Sequence, residues 1–326
     1  MKKELPISII IPTFNREEAL KRTLFTIKLR SETVPNEIII VDQSIKKEIR
    51  QKIYECCVEF TSINCKYIFL ETPSSTRARN IGIQNANNDI LIFMDDDVDV
   101  NSDTLGNIYR LMCNESIAMV GAIDETLPTS TGKLGCLFAM KSYRNRSIGH
   151  VTKALLGRYP QSVKGTVETM WAMGFCFSVK RKYLIEWNLF FDENLTGYAY
   201  AEDLDLTYRY YKQAQNFNLK CLLSENILVQ HLETKEYRIP SKRNIFKYVI
   251  NRKYLAYKYR EPISTHVAMV WANIGLIISR IINHEPFNDI IVANRRCHQL
   301  KKYLKKGIIR EEFFDEDFSI KSFEVN

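Results

Sequence analysis

Short apolar runs punctuate the first hundred positions, and longer amphipathic stretches separate them. SIIIPTF (8–14), EIIIVD (37–42), CKYIFL (65–70) and ILIFM (90–94) are β-branched and aromatic, so each predicts a buried strand. After the first run, Asn15 can cap a helix with Glu18 three residues on, and Leu20, Leu24, Ile27 and Leu29 give that helix an apolar face. Pro35 ends the linker to the second strand, and further helices are predicted over 49–60 and 75–87. Strand and helix alternating at this spacing imply βαβ crossovers. The expected fold is α/β, a mostly parallel sheet with helices on both faces.

The fourth run stops in three adjacent carboxylates, Asp95, Asp96 and Asp97. Three neighbouring charges at the end of a buried strand repel one another, and burying them is costly unless a cation or hydrogen-bond donors compensate. A divalent metal held by oxygen ligands is one compensation; a solvated acidic turn is the plain alternative. Asp42 ends the second strand in the same way. Alone it reads as a turn residue, but in a parallel sheet it shares the carboxyl edge with the triple aspartate, where open α/β sheets bind ligands. There is no GxGxxG and no GxxxxGK[ST], so a phosphate here needs a metal or arginines such as Arg77 and Arg79.

Composition adds bounds rather than identity. The 326 residues are 45% hydrophobic and 26% charged, as in ordinary soluble domains. Eight scattered cysteines without a CxxC suggest free thiols in a reducing, cytoplasmic compartment, and the N-terminal apolar run is too short for a signal-peptide core. The formal charge of +8 is uneven: residues 236–310 hold sixteen Lys/Arg against four acids, a net +12. Such a basic tail suits an anionic partner.

SIIIPTFNRE, EIIIVDQS, TRARNIGI and LIFMDDD stand in the order seen in family 2 glycosyltransferases, and the chain resembles that family, with its GT-A (Rossmann-like) fold, over roughly residues 5–235. Downstream, MGFCFSVKRKYL (173–184), GYAYAEDLDLTYR (197–209) and VQHL (229–232) resemble the family's acceptor-side segment, its "ED" motif and its histidine-bearing strand end. The resemblance implies a catalytic domain over 1–235, with a nucleotide-sugar half to about 125 and an acceptor half over 126–235. Residues 236–326 form a basic, mostly helical region. It implies inverting transfer of a sugar from a nucleotide-sugar, a UDP-sugar first, to a glycan or lipid-linked acceptor, aided by Mn2+ or Mg2+. Asp97 and His231 would bind the metal. Pro12, Thr13, Asn15, Asp42, Arg77, Arg79, Asn80, Asp95 and Asp96 would line the nucleotide-sugar site, with Asp42 at the base, Asp96 at ribose or metal, and Asp95 supporting the turn or a metal-bound water. Asp203 would be the base with Glu202 beside it, and Trp171 and Gly174 would lie on the acceptor side. From the residues alone, Asp203 is equally a helix cap, His231 a structural histidine and Trp171 a core residue.

Residues 243–259 interleave basic and aromatic side chains, a pattern that fits nucleic acid or anionic lipid headgroups. The largely apolar stretch 266–282 is short for a membrane span. It is expected to pack on the catalytic domain or lie in the interface, making the protein peripheral on the inner membrane face and not a specific nucleic-acid binder. Two other classes use similar residues: a sugar-phosphate nucleotidyltransferase and a non-enzymatic nucleic-acid binder.

Overall fold

In the computed structural model the predicted strands appear as β1 (Lys3–Thr13), β2 (Thr33–Asp42), β3 (Asn64–Phe69) and β4 (Ile90–Met94), all parallel. Residues 2–59, 63–126, 133–142, 147–196, 200–232, 241–318 and 320 are described. Helices α1 (Glu17–Phe25), α2 (Lys47–Glu59) and α3 (Ser75–Asn85) make the crossovers. Two local expectations fail. Asn15 does not cap α1; it adopts a left-handed φ of 54°, and Arg16 takes the N-cap position without a side-chain cap. Asn tolerates that conformation better than most residues, and the turn aims Arg16 back towards the sheet edge. Pro35 lies inside β2, opposite Leu5, so the strand begins earlier than its apolar run.

The chain then adds β5 (Val98–Val100), α4 (Thr104–Met112), β6 (Ile117–Asp124), α5 (Lys133–Leu137), the ribbon β7 (His150–Val151) and β8 (Gly157–Arg158), β9 (Thr166–Glu168) and β10 (Cys176–Lys180). Next come α6 (Arg181–Glu186), α7 (Glu202–Asn216) and β11 (Lys220–His231). Among the described residues the main sheet runs β3-β2-β1-β4-β10-β6-β11-β5, with β9 also on β11. β5, β9 and β10 run against the other six strands. Alternate residues of each strand enter opposite cores, as a twofold side-chain period requires. Ile9, Ile38 and Ile92 pack with Leu24 of α1, Ile53 of α2 and Ile108 of α4. Ile10, Ile39 and Phe93 pack with Ile83 of α3, Leu184 of α6 and Tyr210 of α7. The sheet is therefore covered on both faces, which is why its strands read as continuous apolar runs.

The C-terminal region is helical: α8 (Ser241–Lys258), α9 (Ile263–Ile282), α10 (Asn288–Gln299) and α11 (Lys301–Lys305). It shares one core with Leu156, Trp171, Leu195 and Leu204. The basic–aromatic interleaving of 243–259 is largely interior, contrary to the expectation of a binding surface. Arg252 is fully buried, its guanidinium 3.9 Å from the Tyr248 ring centroid and hydrogen-bonded to the Ala154 carbonyl and the Asn273 amide oxygen. Lys247 is also buried, bonded to the Thr196 carbonyl and Glu311. The boundary expected at 235/236 lies outside the described residues.

Candidate active site

Four strand ends and one strand start meet at one edge. β1 ends at Thr13, β2 at Asp42, β4 at Met94 and β11 at His231, while antiparallel β10 begins at Cys176 opposite Met94. Backbone bonds lock the acidic turn in place: Asp95 N–H donates to the Phe175 carbonyl at 2.9 Å, and Leu232 N–H to the Asp97 carbonyl at 2.9 Å. Thr23 of α1 holds the same turn, its hydroxyl donating to the Asp96 carbonyl and accepting from Val98 N–H.

The three aspartates face different partners. Asp97 lies 2.5 Å from Arg16 Nη2 and 3.1 Å from His231 Nε2. Asp96 accepts from the Thr13 hydroxyl at 2.7 Å and pairs with Arg16 Nη1 at 2.8 Å. Asp95 pairs with Arg79 at 2.9 Å. The His231 ring stacks on Phe175, which fixes its direction. Burial opposes ionisation of all three acids. In Asp97 the paired His231 and Arg16 overcome it and hold the carboxyl well below the usual range. Asp96 is pushed up to about 7 by burial despite Arg16, and Asp95 is also raised by burial. His231 is raised by Asp97 and the nearby acids against its own desolvation.

Asp95, Asp97 and His231 each offer one ligand atom, and these atoms lie within 4.8 Å of one another. Two carboxylates and an imidazole suit a divalent cation such as Mn2+ or Mg2+. This grouping differs from the expected division of roles, because Asp95 joins Asp97 and His231 while Asp96 turns to Thr13 and Arg16. Nothing in the sequence marks Arg16 for this corner; in the FNRE turn it looks like a helix-start residue.

The second acidic corner opens α7. Ala201 adopts a left-handed φ of 72° at the N-cap, and Glu202 and Asp203 occupy the first turn, where the helix dipole favours negative charge. Asp203 accepts from Gly174 N–H at 2.8 Å and Leu204 N–H at 2.6 Å. A Cβ on Gly174 would sit 3.2 Å from Asp203 Cβ, so a residue without one allows this approach. Burial raises the Asp203 carboxyl against those two amides, and burial with the Asp203 charge pushes Glu202 up to about 8. Arg79 reaches both corners, 3.2 Å from Glu202 and 2.9 Å from Asp95.

Other expected site residues are held by partners within the protein. Asp42 is fully buried and accepts from Ser44 N–H and the Tyr67 hydroxyl, so both of its oxygens meet protein donors. Asn15 bonds to Ser44 and to Ile45 N–H. Asn80 pins the loop before α7 through Phe191 and Glu193. Arg77 is on the exposed face of α3. Pro12 is buried in β1 opposite Val41. Trp171 is a core residue: its ring packs on Tyr159 and against Gly157, and its indole N–H donates to the Arg158 carbonyl. Arg209 pairs with Asp205 at 2.7 Å. Residues 197–199 of the loop before Glu202 lie outside the described residues.

Comparison with known proteins agrees with this geometry. Residues 8–186 match the family model described as "Glycosyl transferase family 2". An uncharacterized glycosyltransferase of Bacillus subtilis (strain 168), YfnE, is 24% identical over 248 residues, covering 65% of this chain and 62% of that protein. Among solved structures, the mannosyltransferase PcManGT from Pyrobaculum calidifontis, in complex with GDP-Man and Mn2+, superposes with a TM-score of 0.54 at 13% identity, over 95% of this chain and 84% of that one. GalNAc-T7 with UDP, GalNAc and Mn2+ superposes at 0.53 and 16% identity, over 86% and 58%. These structural likenesses concern the fold, which is GT-A. With more than half its length matched by the family model and both acidic corners on one sheet edge, the chain belongs to glycosyl transferase family 2.

Proposed function

We propose that this glycosyltransferase moves one sugar from a nucleoside-diphosphate sugar to a hydroxyl of a glycan or lipid-linked saccharide, with inversion at the anomeric carbon. The observation that carries the reading is the pair of acidic corners joined by Arg79. A divalent cation held by Asp95, Asp97 and His231 would offset the charge of the departing diphosphate. Arg16, beside Asp96 and Asp97, adds fixed positive charge at the same corner. Asp203, oriented by the Gly174 and Leu204 amides, accepts the proton of the attacking hydroxyl. The new C–O bond forms at the anomeric carbon as its bond to the diphosphate oxygen breaks, so no covalent intermediate on the protein is needed. Glu202 orients acceptor hydroxyls and shares Arg79. The eight free cysteines fit a reducing compartment such as the cytoplasm.

A thermal-shift screen of nucleoside diphosphates with and without Mn2+ or Mg2+, uridine first, tests the reading. One diphosphate stabilises the protein in a metal-dependent way, and its sugar ester then yields a glycoside and free diphosphate. Release of pyrophosphate from a nucleoside triphosphate and a sugar phosphate would instead mark a nucleotidyltransferase. Steeply salt-dependent binding of arbitrary nucleic acid without turnover would mark a binding protein.

A further inference from the structure

Helix α9 has two unlike faces. Its inner face is fastened to the domain. Asn273 accepts from Arg252 at 2.7 Å and donates to Asn294 at 2.8 Å. Gly275 lies so close to Phe138 that a Cβ there would clash. The outer face carries Ile263, Val267, Val270, Ile274, Ile281 and Ile282, all exposed, Ile263 by 81% and Val267 by 62%. Residues 263, 267, 270, 274 and 281 lie along one stripe of the helix, and exposed Ile291 of α10 lines the same groove as Val270 and Ile274. Contiguous exposed apolar surface of this kind marks an interaction site. Over its best 18-residue window α9 has a mean hydropathy of 1.5, enough for a span by length and composition. The polar ties of Asn273 to α8 and α10 argue that it lies against the domain instead.

Cations border the stripe. A groove of about 480 Å³ between α8, α9 and α10 is lined by Val270, Ile274, Ile277 and Ile291, with Lys253 and Lys301 among its walls and no acidic residue. Lys253 and Lys305 both stand over the Tyr257 ring, which packs on His266, and burial with the charges of Lys253, Lys305 and Lys301 lowers the pKa of that histidine. Exposed Lys302, Lys305 and Lys306 extend the positive border. Apolar side chains flanked by uncompensated lysines suit an interface that is greasy inside and negatively charged at its rim. A second copy of this chain would bring the same positive rim and repel.

We propose that the outer face of α9 and α10 rests on an anionic phospholipid bilayer, the apolar stripe entering the acyl boundary and exposed Lys301 and Lys305 meeting the headgroup phosphates. The inference is independent of the transfer reaction, because it concerns a face formed by the C-terminal helices. The test is flotation of the full chain with vesicles of phosphatidylcholine alone or mixed equally with phosphatidylglycerol. Binding is expected only to the anionic vesicles and is weakened by high salt. Ile274→Glu abolishes it, and Lys301→Ala with Lys305→Ala lowers affinity about thirtyfold, following the general contribution of each lysine near an anionic surface. Unchanged thermal melting shows that the variants fold; the lysine pair, being exposed, carries the test if Ile274→Glu does not. Equal binding to neutral vesicles, or no binding to either, overturns the proposal. So does a dimer in sedimentation that Ile274→Glu dissolves while vesicles stay unbound.

Discussion

The acidic corners at Asp95–Asp97 and Glu202–Asp203 share one sheet edge and one arginine, yet they are built for opposite tasks. The first is met by side-chain cations: Arg16 contacts Asp96 and Asp97, and His231 contacts Asp97. Asp97 is accordingly held ionised far into the acid range, although burial raises Asp95 and, despite Arg16, Asp96 beside it. The second is met by backbone amides of Gly174 and Leu204 and by Arg79, which it shares with Asp95. There burial dominates, and both Glu202 and Asp203 rise. A carboxylate whose cationic partners outweigh its burial, as in Asp97, holds charge in place; one raised by burial can exchange a proton near neutral pH. Identical side chains thus acquire different chemistry from their surroundings.

The largest effect is expected from removing the proton acceptor while keeping its shape. Asp203→Asn lowers kcat by about 10²–10⁴-fold, the usual share of a positioned base, and leaves donor affinity unchanged in a binding titration. Cutting the shared arginine comes next. Arg79→Met leaves Glu202 and Asp95 without their common partner and destabilises the fold by about 3–5 kcal/mol in urea unfolding, as for other broken buried pairs. Arg79→Lys keeps the charge but not the two-sided reach, and loses less.

The pH profile separates the corners more gently. Because burial raises Asp203, the base is protonated over a wider acid range than a free aspartate near 3.9. The acid limb of kcat/KM therefore lies above the ordinary aspartate range, with activity falling as pH drops through it. The stability sign is opposite to that of a salt-bridged acid. A raised carboxyl favours folding below its unfolded value, and that contribution is lost as pH rises through the folded one; for Glu202 the window ends at about 8. The smallest effect is at Gly174. Gly174→Ala places a methyl 3.2 Å from Asp203 Cβ and shifts the base by a few tenths of an ångström, lowering kcat about tenfold with KM for donor unchanged.

The same contrast explains what could be read from the sequence. Strands buried on both faces announce themselves as apolar runs, so β1 to β4 and the acidic ends of β2 and β4 are legible. Arg16 is not, because its partner Asp96 is eighty positions away and nothing local distinguishes it from a helix-start residue. Asn80 and Trp171 have the residue types of binding sites but hold the loop at 191–193 and the core beside Gly157. The basic–aromatic helix α8 resembles a binding surface in sequence for a related reason. Composition shows the charges of Arg252 and Lys247, whereas only the fold shows the carbonyls, rings and Glu311 that satisfy them inside.

The most direct test of the two-corner account is a calorimetric titration of the preferred nucleoside diphosphate with and without Mn2+, run on the parent protein, Asp97→Asn and Asp203→Asn. The account predicts that Asp97→Asn loses the metal-dependent part of the affinity, while Asp203→Asn binds as the parent does and turns nothing over. Parent-like metal dependence in Asp97→Asn, or full turnover by Asp203→Asn, would contradict it.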